Sequence, residues 1–168
     1  AAWGQRFRML RQGEMGRAKL LDTCRQSRDS VLFGTDSFWE GVSVKGDALR
    51  LVIIPRLPFR VPTEPVQQAR HERLAAQGID PFREYSLPQA VLRFRQGFGR
   101  LIRTRRDRGA VLVLDRRVTR RWYGRVFINS LPKMETKEGP GQAVLDRLTG
   151  FYCRFRPARV PEERSRND

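Results

Sequence analysis

Four residues between positions 96 and 103 have the types and the spacing needed to hold phosphate groups. They are Gln96, Gly99, Arg100 and Arg103. Their spacing of i, i+3, i+4 and i+7 puts them on one face of a helix. Guanidinium groups pair bidentately with phosphate oxygens, and a glycine lets a ligand or a backbone approach closely. This phosphate stripe therefore predicts a surface suited to a polyphosphate, although a solvated basic face is the alternative interpretation.

The segment from Tyr85 to Asp115 is predicted to supply both the helix that carries this stripe and a buried strand behind it. Apolar side chains with helical spacing predict the buried face of the helix: Leu87, Val91, Leu92, Phe94, Phe98, Leu101 and Ile102. Pro88 fits the first turn. Gly109 then opens the run Ala-Val-Leu-Val-Leu, which is typical of a buried strand.

A second candidate site is the loop FGTDSFWEGVSVKG, from Phe33 to Gly46. It follows a predicted strand and combines glycines with hydroxyls and carboxylates. Free backbone amides and the hydroxyls of Thr35 and Ser37 can hold the phosphates of a nucleic acid. Its aromatic side chains, Trp39 among them, can stack on a base or pack beneath the loop. The alternative is an ordinary connection between a strand and a helix.

The charge of the chain favours a polyanionic partner. Lysine and arginine number 34 against 18 acidic residues, which gives a net charge of +16. Nucleic acid is the leading candidate for such a surface. A general arginine bias on an ordinary solvated surface is the alternative.

Several classes of protein are disfavoured by what the sequence contains. It has no G-x-x-x-x-G-K-[ST] phosphate loop, and its Gly-x-Gly lies within a predicted helix and not after a strand. The single histidine, His71, disfavours histidine triads and histidine-rich metal sites. Cys24 and Cys153 lack metal-ligand spacing and are expected to be buried thiols in a reducing cytoplasm. No apolar run approaches membrane-spanning length.

The remaining pattern predicts an α/β fold in which strands alternate with helices. Strands are expected over residues 6–10, 30–33, 49–55 and 110–114, and helices over 16–25, 63–77, 85–102, 123–130 and 143–148. Thr63 is a candidate N-cap and Gly78 a candidate C-terminal stop of the second helix. Segment 78–86 is expected to be a linker and segment 116–121 a basic turn.

Two long stretches resemble known helicase motifs. FGTDSFWEGVSVKGDALRLVIIPRLPF resembles motif V and the following strand of the DinG/XPD group of superfamily 2 DNA helicases. SLPQAVLRFRQGFGRLIRTRRDRGAVLVLDRR resembles motif VI of that group, and YGRVFINSLP is similar to its DinG branch. The resemblance covers about residues 12–132 and implies the second RecA-like motor domain, with a parallel sheet covered by helices on both faces.

The resemblance also implies roles for individual residues. Arg103 would be the arginine finger and Arg100 a second contact to the γ-phosphate, with Gln96 and Gly99 at the same interface. Glu40 and Gly41 would line the nucleotide side of motif V. The residues expected to face single-stranded DNA are Thr35, Asp36, Ser37 and Trp39. ATP with magnesium would lie in a cleft shared with a first RecA-like domain, which in the family also carries an iron–sulfur cluster.

In the family such a domain belongs to an ATP-dependent 5′–3′ DNA helicase with a suggested role in DNA repair. The first residue is Ala1, so a fragment is expected, with a domain over 1–132 that lacks its first strand. Residues 133–168 are expected to form an extension with a short helix and a basic tail. The family usually has Asp where this chain has Ser43. That departure favours the alternative of a non-enzymatic, nucleic-acid-binding module derived from a helicase.

Overall fold

The computed structural model describes residues 7–27, 29–35, 49–61, 63–101 and 108–154, apart from the side chain of Arg100. Two compact units, 1–132 and 133–168, divide the chain. The described elements of the first unit are β1 (Arg8–Arg11), α1 (Arg17–Gln26), β2 (Ser30–Phe33), β3 (Leu51–Ile54), α2 (Pro65–Ala76), a π-helical segment (Phe82–Ser86), α3 (Leu87–Leu101), β4 (Ala110–Val113), α4 (Arg117–Arg120) and α5 (Gly124–Asn129). The second unit contains α6 (Gly141–Arg154).

The four described strands form two parallel pairs. β1 lies beside β2 with Met9 opposite Val31, and β3 lies beside β4 with Val52 opposite Val111. Parallel neighbours require a crossover connection, and α1 supplies it for the first pair while α2 and α3 supply it for the second. The predicted α/β class is confirmed, and the architecture fits a partial RecA-like domain.

The core of the first strand pair is formed by one face of α1. Leu20, Leu21 and Cys24 are buried together with Leu10 of β1. Positions 20, 21 and 24 share one side of a helix, so α1 turns a single apolar stripe toward the strands. Leu32 of β2 packs against the same cluster.

The larger core lies beside β3 and joins α3 to α5. Its buried members are Ile54, Leu57, Leu87, Ala90, Phe94, Tyr123 and Phe127. The rings of Phe94 and Phe127 are both 0% exposed and meet edge to face with 5.3 Å between their centroids. Burial of each ring contributes about 1.5–3 kcal/mol to folding. These contacts fix α3, the helix that carries the phosphate stripe.

Both ends of α2 can be compared with the prediction. The residue before the first turn is Glu64, followed by Pro65, so Thr63 is not the N-cap, and no side chain caps this end. The C-terminal stop at Gly78 is confirmed. Its φ of 72° is in the left-handed region that glycine tolerates, and the N–H of Ile79 donates to the Leu74 carbonyl at 3.0 Å.

The predicted linker 78–86 is wrong over most of its length. The Asp80 carboxylate accepts hydrogen bonds from the N–H groups of Phe82 and Arg83 at 2.8 and 3.3 Å. Asp80 thereby caps the π-helical segment, which runs directly into α3. An Asp followed by Pro81 is a helix-start signal that the sequence contained.

Other expectations need smaller corrections. Part of the predicted basic turn is helical, as α4, because backbone bonds such as Arg120 N–H to the Arg116 carbonyl close a helical turn. α6 is longer than predicted at both ends. Leu92 is 48% exposed, since it points away from the face of α3 that packs on the core, and the strand β4 is half-buried.

The two cysteines differ from each other in burial. Cys24 is buried as predicted. Cys153 is exposed, contrary to the prediction, and it lies on α6, which has no fully buried residue.

Candidate functional site

The described part of the phosphate stripe lies on the outer face of α3. Gln96 and Gly99 are both exposed, on the side opposite the buried Phe94 and Phe98. A methyl group added to Gly99 would meet no atom of the described residues outside its own helix turn within 4 Å, which suits the approach of a ligand group. Arg100 continues the helix, and Arg103 lies outside the described residues. The side-chain amide of Gln96 is therefore exposed on a helix whose opposite face is buried.

The C-terminal end of α3 is held against the start of the second strand pair. Leu101 is buried, and a side chain at Gly109 would collide with Leu101 and with the carbonyl oxygen of Arg50, 2.6 and 2.7 Å away. Glycine is therefore needed at 109 for α3 to end this close to the strands. The N–H of Ala110 donates to the same Arg50 carbonyl at 2.9 Å.

Of the residues predicted to face DNA, the structure describes Thr35. Its backbone N–H and its hydroxyl both donate to the side-chain oxygen of Gln12, at 2.9 and 3.1 Å. Gln12 follows β1 and Thr35 follows β2, so this contact fixes the first residues of the loop to the edge of the strand pair. Asp36, Ser37, Trp39, Glu40 and Gly41 lie outside the described residues.

Asp115, at the end of β4, is the centre of a charged cluster that the sequence did not single out. Its carboxylate accepts hydrogen bonds from the N–H of Leu57 at 2.8 Å and from that of Arg117 at 3.0 Å. The Arg117 guanidinium binds both carboxylate oxygens, with Nε 3.0 Å from each and Nη2 2.7 Å from Oδ2. The cluster ties the segment after β3 to the segment after β4.

The electrostatics of this cluster follow from its hydrogen bonds. The contact with Arg117, followed by the N–H groups of Leu57 and Arg117, lowers the pKa of Asp115 from 3.8 to about 2, although burial opposes the change. The same contact raises the pKa of Arg117. Arg117 also lies over the ring of Phe59, 5.3 Å from its centroid. This ion pair therefore positions the backbone at Leu57 and Arg117.

An exposed basic surface continues beyond this cluster. Trp122 is exposed, and the guanidinium of Arg83 lies 4.9 Å from its ring centroid. Exposed arginines at 116, 120, 121 and 125 flank it along the chain. The surface has the sign of charge that nucleic acid requires.

Within the described ranges no group of three or more His, Cys, Asp or Glu side chains is arranged to hold a metal ion. None of the helices that the structure describes is long and apolar enough to cross a bilayer.

Comparison with known proteins gives a consistent family. The model of the helicase C-terminal domain matches residues 2–134. The ATP-dependent DNA helicase YoaA of Haemophilus influenzae is 51% identical over 124 residues, which cover 74% of this chain and 19% of that protein. DinG of Bacillus subtilis, named a 3′-5′ exonuclease, is 45% identical over 134 residues, 79% of this chain and 14% of that protein.

A third relative, the ATP-dependent helicase DinG of Mycobacterium tuberculosis, is 40% identical over 124 residues, again 74% of this chain and 19% of that protein. The chain thus spans about a fifth or less of the length of these curated relatives. The match of the family model over residues 2–134 shows that the chain belongs to the helicase C-terminal domain family, in the form found in DinG-type proteins.

Proposed function

We propose that this chain is the second RecA-like motor domain of an ATP-dependent 5′–3′ DNA helicase and shares its ATP site with a first RecA-like domain. The observation that carries the proposal is the placement of Gln96 and Gly99 on the exposed face of α3, whose opposite face is buried. This exposure of the two described members supports an outward-facing phosphate stripe. Since the sequence has no phosphate loop, another domain must hold most of the nucleotide.

In this proposal the stripe stabilises charge on the phosphates. Arg103 acts as the arginine finger and Arg100 as a second γ-phosphate contact, because guanidinium groups neutralise the charge that develops during phosphoryl transfer. Gln96 and Gly99 line the same interface, and Glu40 and Gly41 the nucleotide side of motif V. The amide and the open surface at Gly99 fit phosphate oxygens, whereas the magnesium ion is assigned to carboxylates of the first domain.

The DNA contacts belong to the loop after β2. Thr35, Asp36, Ser37 and Trp39 are proposed to face single-stranded DNA, with Gln12 holding the first of them in place. Hydrolysis is coupled to movement if the arginines reach the γ-phosphate only when the cleft between the two domains closes. The loop and α3 then move together as parts of one unit.

The same proposal also covers the domain division of the chain and the parent protein. Residues 1–132 form the motor domain and 133–168 an extension of it. The parent protein acts on DNA in the cytoplasm. An iron–sulfur cluster, where the parent has one, belongs to the first domain and not to this chain.

Two measurements test the proposal. The isolated chain is expected to show no ATP hydrolysis, with or without single-stranded DNA, because its ATP site is incomplete. In the parent protein, Arg103→Ala is expected to lower the rate of hydrolysis by about a thousandfold or more while DNA affinity stays within a few-fold. Arg73→Ala, which removes an exposed arginine of α2, is the matched control.

Contrary results would be clear. DNA-stimulated hydrolysis by the isolated chain would show that the site is not shared. Equal loss of hydrolysis and DNA binding in Arg103→Ala would make Arg103 a structural or DNA-facing residue. A parent protein that binds DNA but never hydrolyses ATP would favour the non-enzymatic binding module, which the net charge of +16 also supports.

A further inference from the structure

A polar cavity opens between α2 and the start of α3, beside the segment that follows β3. It is narrow and opens to solvent, and its lining residues are Arg60, Gln67, His71, Ser86, Gln89 and Arg93. Two of these side chains are cationic and none is a carboxylate, so an anion is favoured over a cation at this place. None of the six belongs to the phosphate stripe or to the loop after β2.

The cavity is built by matched positions on two helices. Gln67 and His71 stand at i and i+4 of α2, and Gln89 and Arg93 stand at i and i+4 of α3, so each pair shares one face. The His71 ring nitrogen Nε2 lies 2.8 Å from the hydroxyl oxygen of Ser86, which joins α2 to the end of the π-helical segment. His71 is consequently half-buried.

The loop side of the cavity is also fixed. The Arg93 guanidinium donates to the Pro58 carbonyl oxygen at 3.3 Å, which holds the segment after β3 against α3. Arg60 follows two residues later and brings a second guanidinium to the cavity wall. The cavity is therefore preformed by contacts that do not involve a ligand.

Its most unusual member is Gln67, which is buried with 5% of its surface exposed. Its side-chain amide has no hydrogen-bond partner among the residues that the structure describes. Buried amides are nearly always paired, because an unpaired one loses the hydrogen bonds that water would give it. The side chains of Arg60 and Gln89 likewise have no partner within the described ranges. Three donor-bearing side chains without a partner in the described part of the chain thus line one space.

We propose that this cavity binds a single phosphate group, either a phosphodiester of a nucleic-acid strand or a free phosphate. A tetrahedral oxyanion offers several acceptor oxygens, which match the guanidinium groups of Arg60 and Arg93 and the amide donors of Gln67 and Gln89.

The cavity adjoins the described part of the phosphate stripe, because Arg93 and Gln96 stand at i and i+3 on α3. Arg60 and Gln67 lie on other segments, so variants of these two residues test the cavity without changing the stripe. The proposal does not depend on the helicase activity of the parent.

His71 provides a direct readout because it is the only histidine of the chain. Its imidazole resonances can be followed by NMR while the 168-residue chain is titrated with inorganic phosphate or, separately, with a short oligothymidylate at constant ionic strength. The expected result is a saturable shift of these resonances. A shift with the oligothymidylate identifies the source as a nucleic-acid strand, and a shift with inorganic phosphate alone identifies it as free phosphate.

Variants assign the binding to the cavity. Arg60→Ala is expected to weaken the phosphate or oligothymidylate interaction by roughly 5- to 10-fold. Gln67→Leu is expected to weaken it similarly without lowering the urea midpoint of unfolding, because an apolar side chain of similar size replaces an unpaired amide. Arg73→Ala is the matched control, since it removes an exposed arginine from α2 that does not line the cavity.

Three results would overturn the proposal. Resonances of His71 that do not move, or that move linearly with either probe, would show that no phosphate enters. Equal weakening by Arg60→Ala and Arg73→Ala would show that only general charge attraction is measured. A lower urea midpoint for Gln67→Leu would show that the amide is already paired in the free protein, as by a bound water.

Discussion

The carboxylate of Asp115 accepts a hydrogen bond of 2.8 Å from the backbone N–H of Leu57, 58 residues earlier in the chain. Leu57 follows β3 and Asp115 follows β4, and the two strands are parallel neighbours. The contact therefore joins the segment after β3 to the segment after β4, at the edge where both leave the strand pair. The Arg117 guanidinium binds both oxygens of this carboxylate and lowers its pKa, which keeps it ionised.

Replacement of Asp115 tests this relationship. Asp115→Asn is expected to lower the free energy of unfolding at pH 7 by about 1–2 kcal/mol, a value discounted because the partner Arg117 is partly solvated. Urea unfolding followed by circular dichroism measures the change. Asp22→Asn is the control, since Asp22 forms an exposed ion pair with Arg25 and its loss should change stability by less than about 0.5 kcal/mol. Equal effects of the two variants would contradict a special role for Asp115.

The same carboxylate predicts a pH dependence. The pKa of Asp115 is lower in the folded chain, about 2 against 3.8, so its contribution to stability is complete above pH 3.8. It is lost as the pH falls through the folded value near 2. The difference in unfolding free energy between the wild-type chain and Asp115→Asn should therefore be constant from pH 7 to about pH 5 and shrink below pH 4. A difference that stays constant down to pH 2 would show that the charge of Asp115 is not its cause.

Gly124 offers a sharper stability test. A methyl group at Gly124 would overlap backbone atoms of Val118 and lie 2.8 Å from the Arg117 carbonyl oxygen, so α4 and α5 would have to separate. Gly124→Ala is expected to destabilise the chain by about 2–3 kcal/mol. Gly99→Ala should instead be neutral or stabilising by up to about 1 kcal/mol, because Gly99 lies in a helix with open space around it. Similar melting temperatures for both variants would contradict the close packing of α4 on α5.

The contact between Gln12 and Thr35 predicts an effect on DNA binding. Gln12→Ala removes the acceptor of two hydrogen bonds and frees the first residues of the loop after β2. The affinity for single-stranded DNA, measured by fluorescence anisotropy, is expected to fall by roughly 3- to 10-fold, as for one or two lost hydrogen bonds. Gln12→Glu keeps an acceptor and should retain more of the affinity. Gln26→Ala, an exposed glutamine at the end of α1, serves as the control, and an equal loss there would rule out a role for the loop.

Periodicity and turn chemistry predicted much of the fold because both depend on neighbours in sequence. β2 has the predicted bounds of Ser30 and Phe33, and Gly78 ends α2 with the expected left-handed conformation. The length of α6 was underestimated because Thr149 and Gly150 have low helix propensity. The helix continues through them to Arg154, with the rings of Phe151 and Tyr152 in contact.

The features that the sequence did not reveal depend on which segments become neighbours. The Asp115 cluster requires β3 to pair with β4 so that Leu57 reaches the carboxylate, and no local pattern contains that pairing. The cavity around Gln67 requires α2 to face α3. The exposed face of α3 was predictable, since its alternation with Phe94 and Phe98 is a helical pattern.

The close approach of α3 to Gly109 has a mechanical consequence. Leu101 at one end of the helix is lodged against the strand pair, while Leu87, near the other end, is buried in the aromatic core. Sliding of α3 along its axis would have to break both anchorages at once. We therefore expect a force applied to the exposed face of this helix to be passed to the strands, so that α3 and the strand pair move as one body.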